Sequence, residues 1–406
     1  MQHRIIVLGA GYTGAVAAGR LAKRLHRDDV TITLVNAEPD FVERVRMHQV
    51  AVGQELRARP FSEMFAGTGV TLKLARVTGV DVDRRTVTVT GTESAPGTDP
   101  GTEELAYDTL VYALGSAWDT HDVPGVADHA HQLASRPGAL RLRERLAELS
   151  AGATVTVVGG GLTGVEAATE IAESRPDLAV ALAARGELGD WLSPKGRRHL
   201  AKVFAGLGIT VHEHSGITAV DADTVTAGDG RSLPSDVTVW TTGFAVHPMA
   251  RATTLELGDT GQIVVDGTMR SVSHPDVYAI GDAALVMGPG DKPLRMSCAS
   301  GIPTSWQAAD AIAARLTGTK IPHAPLRYFN QCISLGRKEG LIQYVTADDR
   351  AVSAALTGRF AALYKEVVCK GAAWGVANPT MGLPTRRRRT AQPRTTDTPT
   401  PAEASA

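Results

Sequence analysis

The chain of 406 residues has three cysteines, almost no net charge and no long apolar run. Each scarcity excludes a class of protein. Three cysteines cannot build a disulfide scaffold. Cys298, Cys332 and Cys369 lie far apart, with no C-x-x-C pair, which excludes a zinc ribbon and a redox dithiol. Lys and Arg number 42 against 43 Asp and Glu, so no basic face is on offer to nucleic acid. No apolar run reaches the roughly 18–20 residues of a membrane-spanning helix. The start, Met1-Gln2-His3-Arg4, leads straight into an apolar strand. It lacks the longer apolar region and cleavage site of a secretion signal, so a cytoplasmic location is expected. What remains is an ordinary globular mix, 43% hydrophobic and 21% charged, long enough for two or three domains.

The first thing present is a strand, a glycine turn, a helix and a strand. Arg4 to Leu8 is β-rich, Gly9-x-Gly11-x-x-Gly14 follows at once, Ala15 to Leu25 suits a packed helix, and Val30 to Val35 is β-branched. In such a unit the first glycine permits the tight turn and the second admits a pyrophosphate. The third lets helix and strand pack closely, and the phosphates meet the positive end of the helix. The same order returns 150 residues later: Ala153 to Val158, Gly159-x-Gly161-x-x-Gly164, Val165 to Glu173, Leu178 to Ala183. Two units imply two dinucleotide sites on two similar domains.

Several polar residues stand where such sites need them. Asn36 ends the second strand of the first unit, in the place of a ribose-binding acid, and Glu38 follows; Glu38 reads equally as a solvated loop charge. In the second unit that place falls to Ala184-Arg185. Arg185 would pair with a 2′-phosphate and favour NADPH, or is an exposed charge beside a degenerate site. Glu166, two residues past Gly164, is a proton relay or substrate guide at the domain joint, or a helix-dipole partner. Gly281-Asp282 ends the strand Val277 to Ile280. Its acid would accept a ribityl hydroxyl, or is an N-cap. Short strands ending in glycine also run from Leu110 to Gly115 and from Val237 to Gly243, and Gly91 to Glu104 reads as a surface loop. Near the end, Leu356, Phe360, Leu363 and Val367 fall at helical spacing, with Lys365 and Glu366 on the other face. The last 21 residues carry five Arg and two acids and are expected to be disordered.

Taken in order, G-A-G-x-x-G, Ala113-Leu114-Gly115-Ser116, G-G-G-x-x-G-V-E, Thr241-Thr242-Gly243-Phe244 and Y-A-I-G-D resemble the FAD-dependent pyridine nucleotide oxidoreductases. The closest branch is the type II NADH dehydrogenases, and the resemblance covers roughly residues 1–380. The stretch Phe41 to Gln49 looks like a signature of actinobacterial members.

The resemblance implies an α/β fold of two Rossmann-like domains with a short C-terminal α+β segment. FAD would occupy 1–118 with 244–318, NAD(P)H would occupy 119–243, a docking or interface segment would run 319–385, and the tail 386–406. FAD would meet Gly9, Gly11, Tyr12, Thr13, Gly14, Asn36 or Glu38, Arg46, Val77 through its backbone, Ala113, Gly115, Gly281 and Asp282. NAD(P)H would meet Gly159, Gly161, Leu162, Thr163, Gly164, Arg185 and Gly243. Glu166 matches the family glutamate near the flavin. No metal is implied.

Three departures stand out. Ala184 replaces the acid expected for NADH. Trp306, in Pro303-Thr304-Ser305-Trp306, replaces a glutamine that faces the quinone, which would reshape that pocket and let it stack on an aromatic substrate. The C-terminal stripe suits membrane docking, helped by Trp374 and the Arg run. Packing on the body or on a second subunit is the preferred reading. The expected activity is hydride transfer from NAD(P)H through FAD to a quinone or other small acceptor. A tailoring oxidoreductase of small-molecule biosynthesis on the same frame is the alternative, and a flavin redox sensor the least favoured.

Overall fold

The computed structural model describes residues 2–92, 101–322 and 325–391. Two parallel sheets organise them, each built on one glycine unit. The first has seven strands in the order Val277–Ala279, Thr109–Tyr112, His3–Leu8, Val30–Asn36, Val70–Asp81, Thr86–Gly91 and Thr102–Ala106. The first five run parallel. Ile5 to Leu8 are at most 4% exposed, because helices cover both faces of the sheet. The strand Val70–Asp81 serves two layers. Its first half pairs in parallel with Val30–Asn36, and its second half turns into an antiparallel hairpin.

The second sheet orders Thr210–His212, Ala179–Ala183, Thr154–Val158, Val237–Trp240 and Ala130–Gln132, all parallel. The chain crosses between sheets twice, and the crossings lie side by side. Ser116–Trp118 and Phe244–Val246 pair antiparallel, with Phe244 opposite Trp118. The first domain is thus discontinuous, closed by Val277–Ala279 and by the helix Cys298–Thr317. Ser297 caps that helix through Ser300 N, and Gly318 ends it in the left-handed region at φ 66°.

An antiparallel layer of Asn330–Ser334, Gly340–Val345 and Ala351–Thr357 follows, then the helix Arg359–Ala377. Two expectations change here. Leu356 lies in the strand Ala351–Thr357 opposite Ile342, so the helical stripe begins at Phe360. The stripe does not pack on the body: Phe360, Leu363 and Val367 are 78%, 62% and 61% exposed. The inward face is Ala361, Cys369, Ala373 and Val376.

The tail expectation also changes in part. Residues 386–391 are tied to the first domain rather than disordered. Arg388 bridges Leu25, Arg387 donates to Ala22 O at 3.0 Å, and Arg389 pairs with Asp28 and Asp29 at 2.9 and 2.8 Å. Asp28 and Asp29, in the turn after the first helix, give Arg389 partners that composition alone does not reveal. The rest of the expected tail lies outside the described residues, as does most of the loop expected between Gly91 and Glu104.

Candidate functional site

The two glycine turns have nearly the same geometry. Gly9 and Gly159 sit at φ 88° and 124°, and a Cβ on either would meet Ala113 O or Thr241 Oγ1 at 2.5 Å. A Cβ on Gly14 or Gly164 would fall 1.8 or 1.9 Å from the carbonyl oxygen of Gly9 or Gly159. Only glycine fits these four positions. Gly11 and Gly161 differ: a Cβ there would meet nothing within 4 Å. That is the open side, where a phosphate approaches the backbone. The helices Tyr12–Arg24 and Leu162–Ser174 start at these glycines, and neither has a side-chain cap. Their first amides are left for an anion. Both cradles therefore fit a dinucleotide pyrophosphate. The Tyr12 hydroxyl is buried with no hydrogen-bond partner among the described residues.

Asn36 holds the first loop together. Its Oδ1 accepts Ala10 N at 2.9 Å and its Nδ2 donates to Glu38 O at 2.8 Å. Glu38 is exposed. Val77 lies where the ladder to the next strand shifts register. Thr13 packs against Gly281, whose φ is 66°, and against Gly301; a Cβ on either glycine would crowd its side chain at 2.9 or 2.8 Å. Asp282 stands in the turn Gly281–Ala283. Its Oδ2 accepts Ser116 Oγ at 2.6 Å, and the Arg44 guanidinium is 4.0 Å away. Arg44 also lies over Phe244, 5.8 Å from the ring centroid. Gly115, at φ 68°, leaves room for Arg44; a Cβ there would sit 3.7 Å from its guanidinium.

The second site is plainer at its rim. Ala184 is 2% exposed, and its Cβ would lie 2.8 Å from a Cβ on Gly160. Arg185 is exposed and has neither ion pair nor hydrogen bond among the described residues. Leu162 and Thr163 open the helix, half-buried, and Gly243 lies at φ 69° against His121.

Between the two turns sits a buried charged cluster. Glu166 is 4% exposed. Its Oε1 accepts Ser334 N at 2.9 Å and pairs with Lys365 Nζ at 2.9 Å; Oε2 faces His48 Nδ1 at 3.9 Å. Lys365 also donates to Cys332 O at 3.0 Å. Burial works against the Lys365 ammonium, but Glu166 outweighs it and holds the charge well above the usual lysine range. Burial drives His48 down to about 4, with Glu166 opposing, so its imidazole is neutral at pH 7. All three cysteines are free, and Lys365 lies within electrostatic reach of each.

A family profile described as "Pyridine nucleotide-disulphide oxidoreductase" matches residues 3–313. The chain belongs to that family. It is an enzyme family of FAD-dependent NAD(P)H oxidoreductases. A demethylphylloquinone reductase of Synechocystis is 27% identical over 381 residues, 90% of this chain and 92% of the relative. A type II NADH:quinone oxidoreductase of Mycobacterium tuberculosis is 26% identical over 377 residues, 81% of this chain and 76% of the relative. The structure of NDH2 from Plasmodium falciparum in complex with NADH superposes with a TM-score of 0.77 at 15% identity, covering 95% and 99% of the two chains.

Within this family member, one arginine departs from its expected place. Arg46 was the expected flavin contact. It is instead held by Glu43 at 3.4 Å and by Glu366 of the C-terminal helix at 2.9 Å. The turn Arg44–Arg46 sends its two arginines different ways, and Arg44 is the one beside Asp282. Trp306 is half-buried on the core of the first domain, with Arg20 over its ring at 6.0 Å. Lys365 and His48 were missed. The one available signal was the placement of Lys365 opposite the apolar stripe.

Proposed function

We propose that this enzyme takes hydride from NADPH and delivers the reducing equivalents through FAD to a quinone. The observation that carries the reading is the helix Arg359–Ala377. One face is an exposed apolar stripe and the other puts Lys365 on Glu166. An acceptor dissolved in lipid would approach along that stripe and reach a buried acid and ammonium. The quinone-reducing relatives support the same acceptor class.

FAD, when bound, supplies the two-electron chemistry. The chain's own residues place and shield it. Gly9, Gly11 and Gly14, with the amides of Tyr12 and Thr13, would hold its pyrophosphate, and the exposed Glu38 its adenosine ribose. Val77 would meet the adenine through its backbone, and Ala113 and Gly115 would floor the ring. Asp282 would accept a ribityl hydroxyl while Arg44 balances its charge. Gly159, Gly161, Gly164, Leu162 and Thr163 would bind the second pyrophosphate, and Gly243 would let the nicotinamide come close. Arg185, exposed and unpaired among the described residues, would meet a 2′-phosphate, with no acid at Ala184 to reward a free ribose hydroxyl. Glu166 and Lys365 would hold and move a proton at the acceptor oxygen.

The test is anaerobic mixing with NADPH and NADH, then a panel of acceptors with and without vesicles of anionic lipid. NADPH should bleach the flavin faster than NADH, and a lipid-soluble quinone should reoxidise it. Absence of bleaching with either nucleotide would refute the reading. Fast turnover with a water-soluble substrate alone would favour the tailoring alternative.

A further inference from the structure

Quinone reduction by NAD(P)H consumes one proton that the hydride does not bring: NAD(P)H + H⁺ + quinone gives NAD(P)⁺ + quinol. Glu166 is buried and Lys365 only slightly exposed, so that proton needs a route from solvent. The second glycine helix offers one. Glu166, Glu170 and Glu173 follow at i, i+4 and i+7 on one face of Leu162–Ser174. Glu173 is partly exposed and accepts Arg337 N at 2.5 Å. Glu170 is 0% exposed. Its Oε1 accepts the Gln54 amide, and its Oε2 is buried with no partner among the described residues.

Gln54 also lines a cavity of about 280 Å³ between the segment 40–58 and the helix Arg136–Glu148. Phe41, Met47, Val50 and Leu140 form its apolar wall, and Arg136 and Glu55 its polar wall. Gln54 is thus the residue shared by the cavity lining and the hydrogen bond to Glu170.

We infer that Glu170 is a relay residue, taking a proton from this cavity and passing it to Glu166. The inference rests on the quinone reading above. Neighbouring side chains four apart on a helix have Cβ atoms about 5–6 Å apart, a gap that one water closes. The Glu170 carboxyl gives its proton to the Glu166 carboxylate, which gives one to the acceptor oxygen; the Gln54 amide then turns aside, and water entering from the cavity brings Glu170 its next proton from bulk solvent. The groups facing Glu170 are Glu166 and Glu173 on its own helix, Arg337 beyond the strand Asn330–Ser334, and Gln54 from the cavity side. Burial, opposed by Arg337 and Gln54 and reinforced by Glu173 and Glu166, pushes its carboxyl up to about 7. It can therefore both hold and release a proton near neutrality.

The test is E170Q in the full-length flavoprotein, which keeps an acceptor for Gln54 but cannot titrate. Anaerobic flavin reduction by NADPH should be unchanged, and turnover with ferricyanide, which takes electrons without protons, should be unchanged. Quinone turnover should fall roughly tenfold or more. In the wild type that turnover should decline as pH rises through 7, and the decline should vanish in E170Q. A protonated-carboxyl infrared band titrating near 7 should be present in the wild type and missing in E170Q. The variant Q54M should slow quinone turnover while leaving ferricyanide turnover intact. Quinone turnover in E170Q with wild-type rate and pH profile would overturn the relay. So would an equal fall with ferricyanide and quinone, which marks a structural role. If E170Q does not fold, Q54M decides alone. If the wild type reduces ferricyanide but no quinone, the acceptor assignment fails instead. The relay, which rests on that acceptor, then falls with it, whatever the infrared titration shows.

Discussion

The two glycine helices start alike and then invert their charge. At the offset of 150 residues that aligns Gly9 with Gly159, Val16, Arg20 and Lys23 stand opposite Glu166, Glu170 and Glu173. The first helix turns its arginines onto the long helix behind it. Arg20 pairs with Asp310 at 2.7 Å, and Arg24 reaches the same carboxylate at 2.5 Å. The second turns an acid onto the C-terminal helix, through Glu166 and Lys365 at 2.9 Å. The rims differ as well. Asn36 ties the first loop by hydrogen bonds, while the second has the apolar Ala184 close to Gly160. The shared turn sets what both units bind, a dinucleotide. The helix face and the residue ending the second strand are where the units differ.

The largest effect should come from the turns themselves. Gly14→Ala and Gly164→Ala each force a Cβ to within 2 Å of a carbonyl oxygen, at 1.8 and 1.9 Å. G14A should purify without flavin. G164A should keep the flavin but lose its reduction by NADPH. An absorption spectrum and anaerobic mixing read both outcomes, and a yellow G14A protein would break the division of labour between the units.

The next effect concerns the two anchors. Lys365→Met strands a buried carboxylate and should cost ~3–5 kcal/mol of stability. Asp310→Asn keeps hydrogen-bonding capacity for two arginines and should cost ~1–3 kcal/mol. Urea unfolding compares them, and equal costs would erase the distinction between a site anchor and a packing anchor. The smallest effect is at the rim. Arg185→Glu should lower kcat/KM for NADPH relative to NADH by roughly tenfold, leaving flavin content untouched. An unchanged ratio would make the second rim indifferent to the 2′-phosphate.

What could be read from the chain alone follows this same division. Glycines at Gly9, Gly14, Gly159 and Gly164 are demanded by backbone geometry within a few residues, so spacing reveals them. Asp282 and Glu166 stand at fixed distances from a glycine, but position alone reads them as an N-cap and a helix-dipole partner; the family resemblance marked them as site candidates. Lys365 and His48 were not, since their significance is created by contacts between segments that no local pattern links. Arg44 and Arg46 show the limit at short range. They are two residues apart in one tight turn, and only the positions of Asp282 and Glu366 decide which faces the site. The apolar stripe was seen, but its exposure was not, because periodicity states that a face is apolar and not what covers it.

The first sheet has a last strand, Val277–Ala279, taken from the far side of the second domain, and its first helix is clasped by Arg387 to Arg389. On the ribosome this inverts the expected order of maturation. The domain that is translated first is the one completed last, and its edge beside Thr109–Tyr112 stays open until the second domain has already emerged.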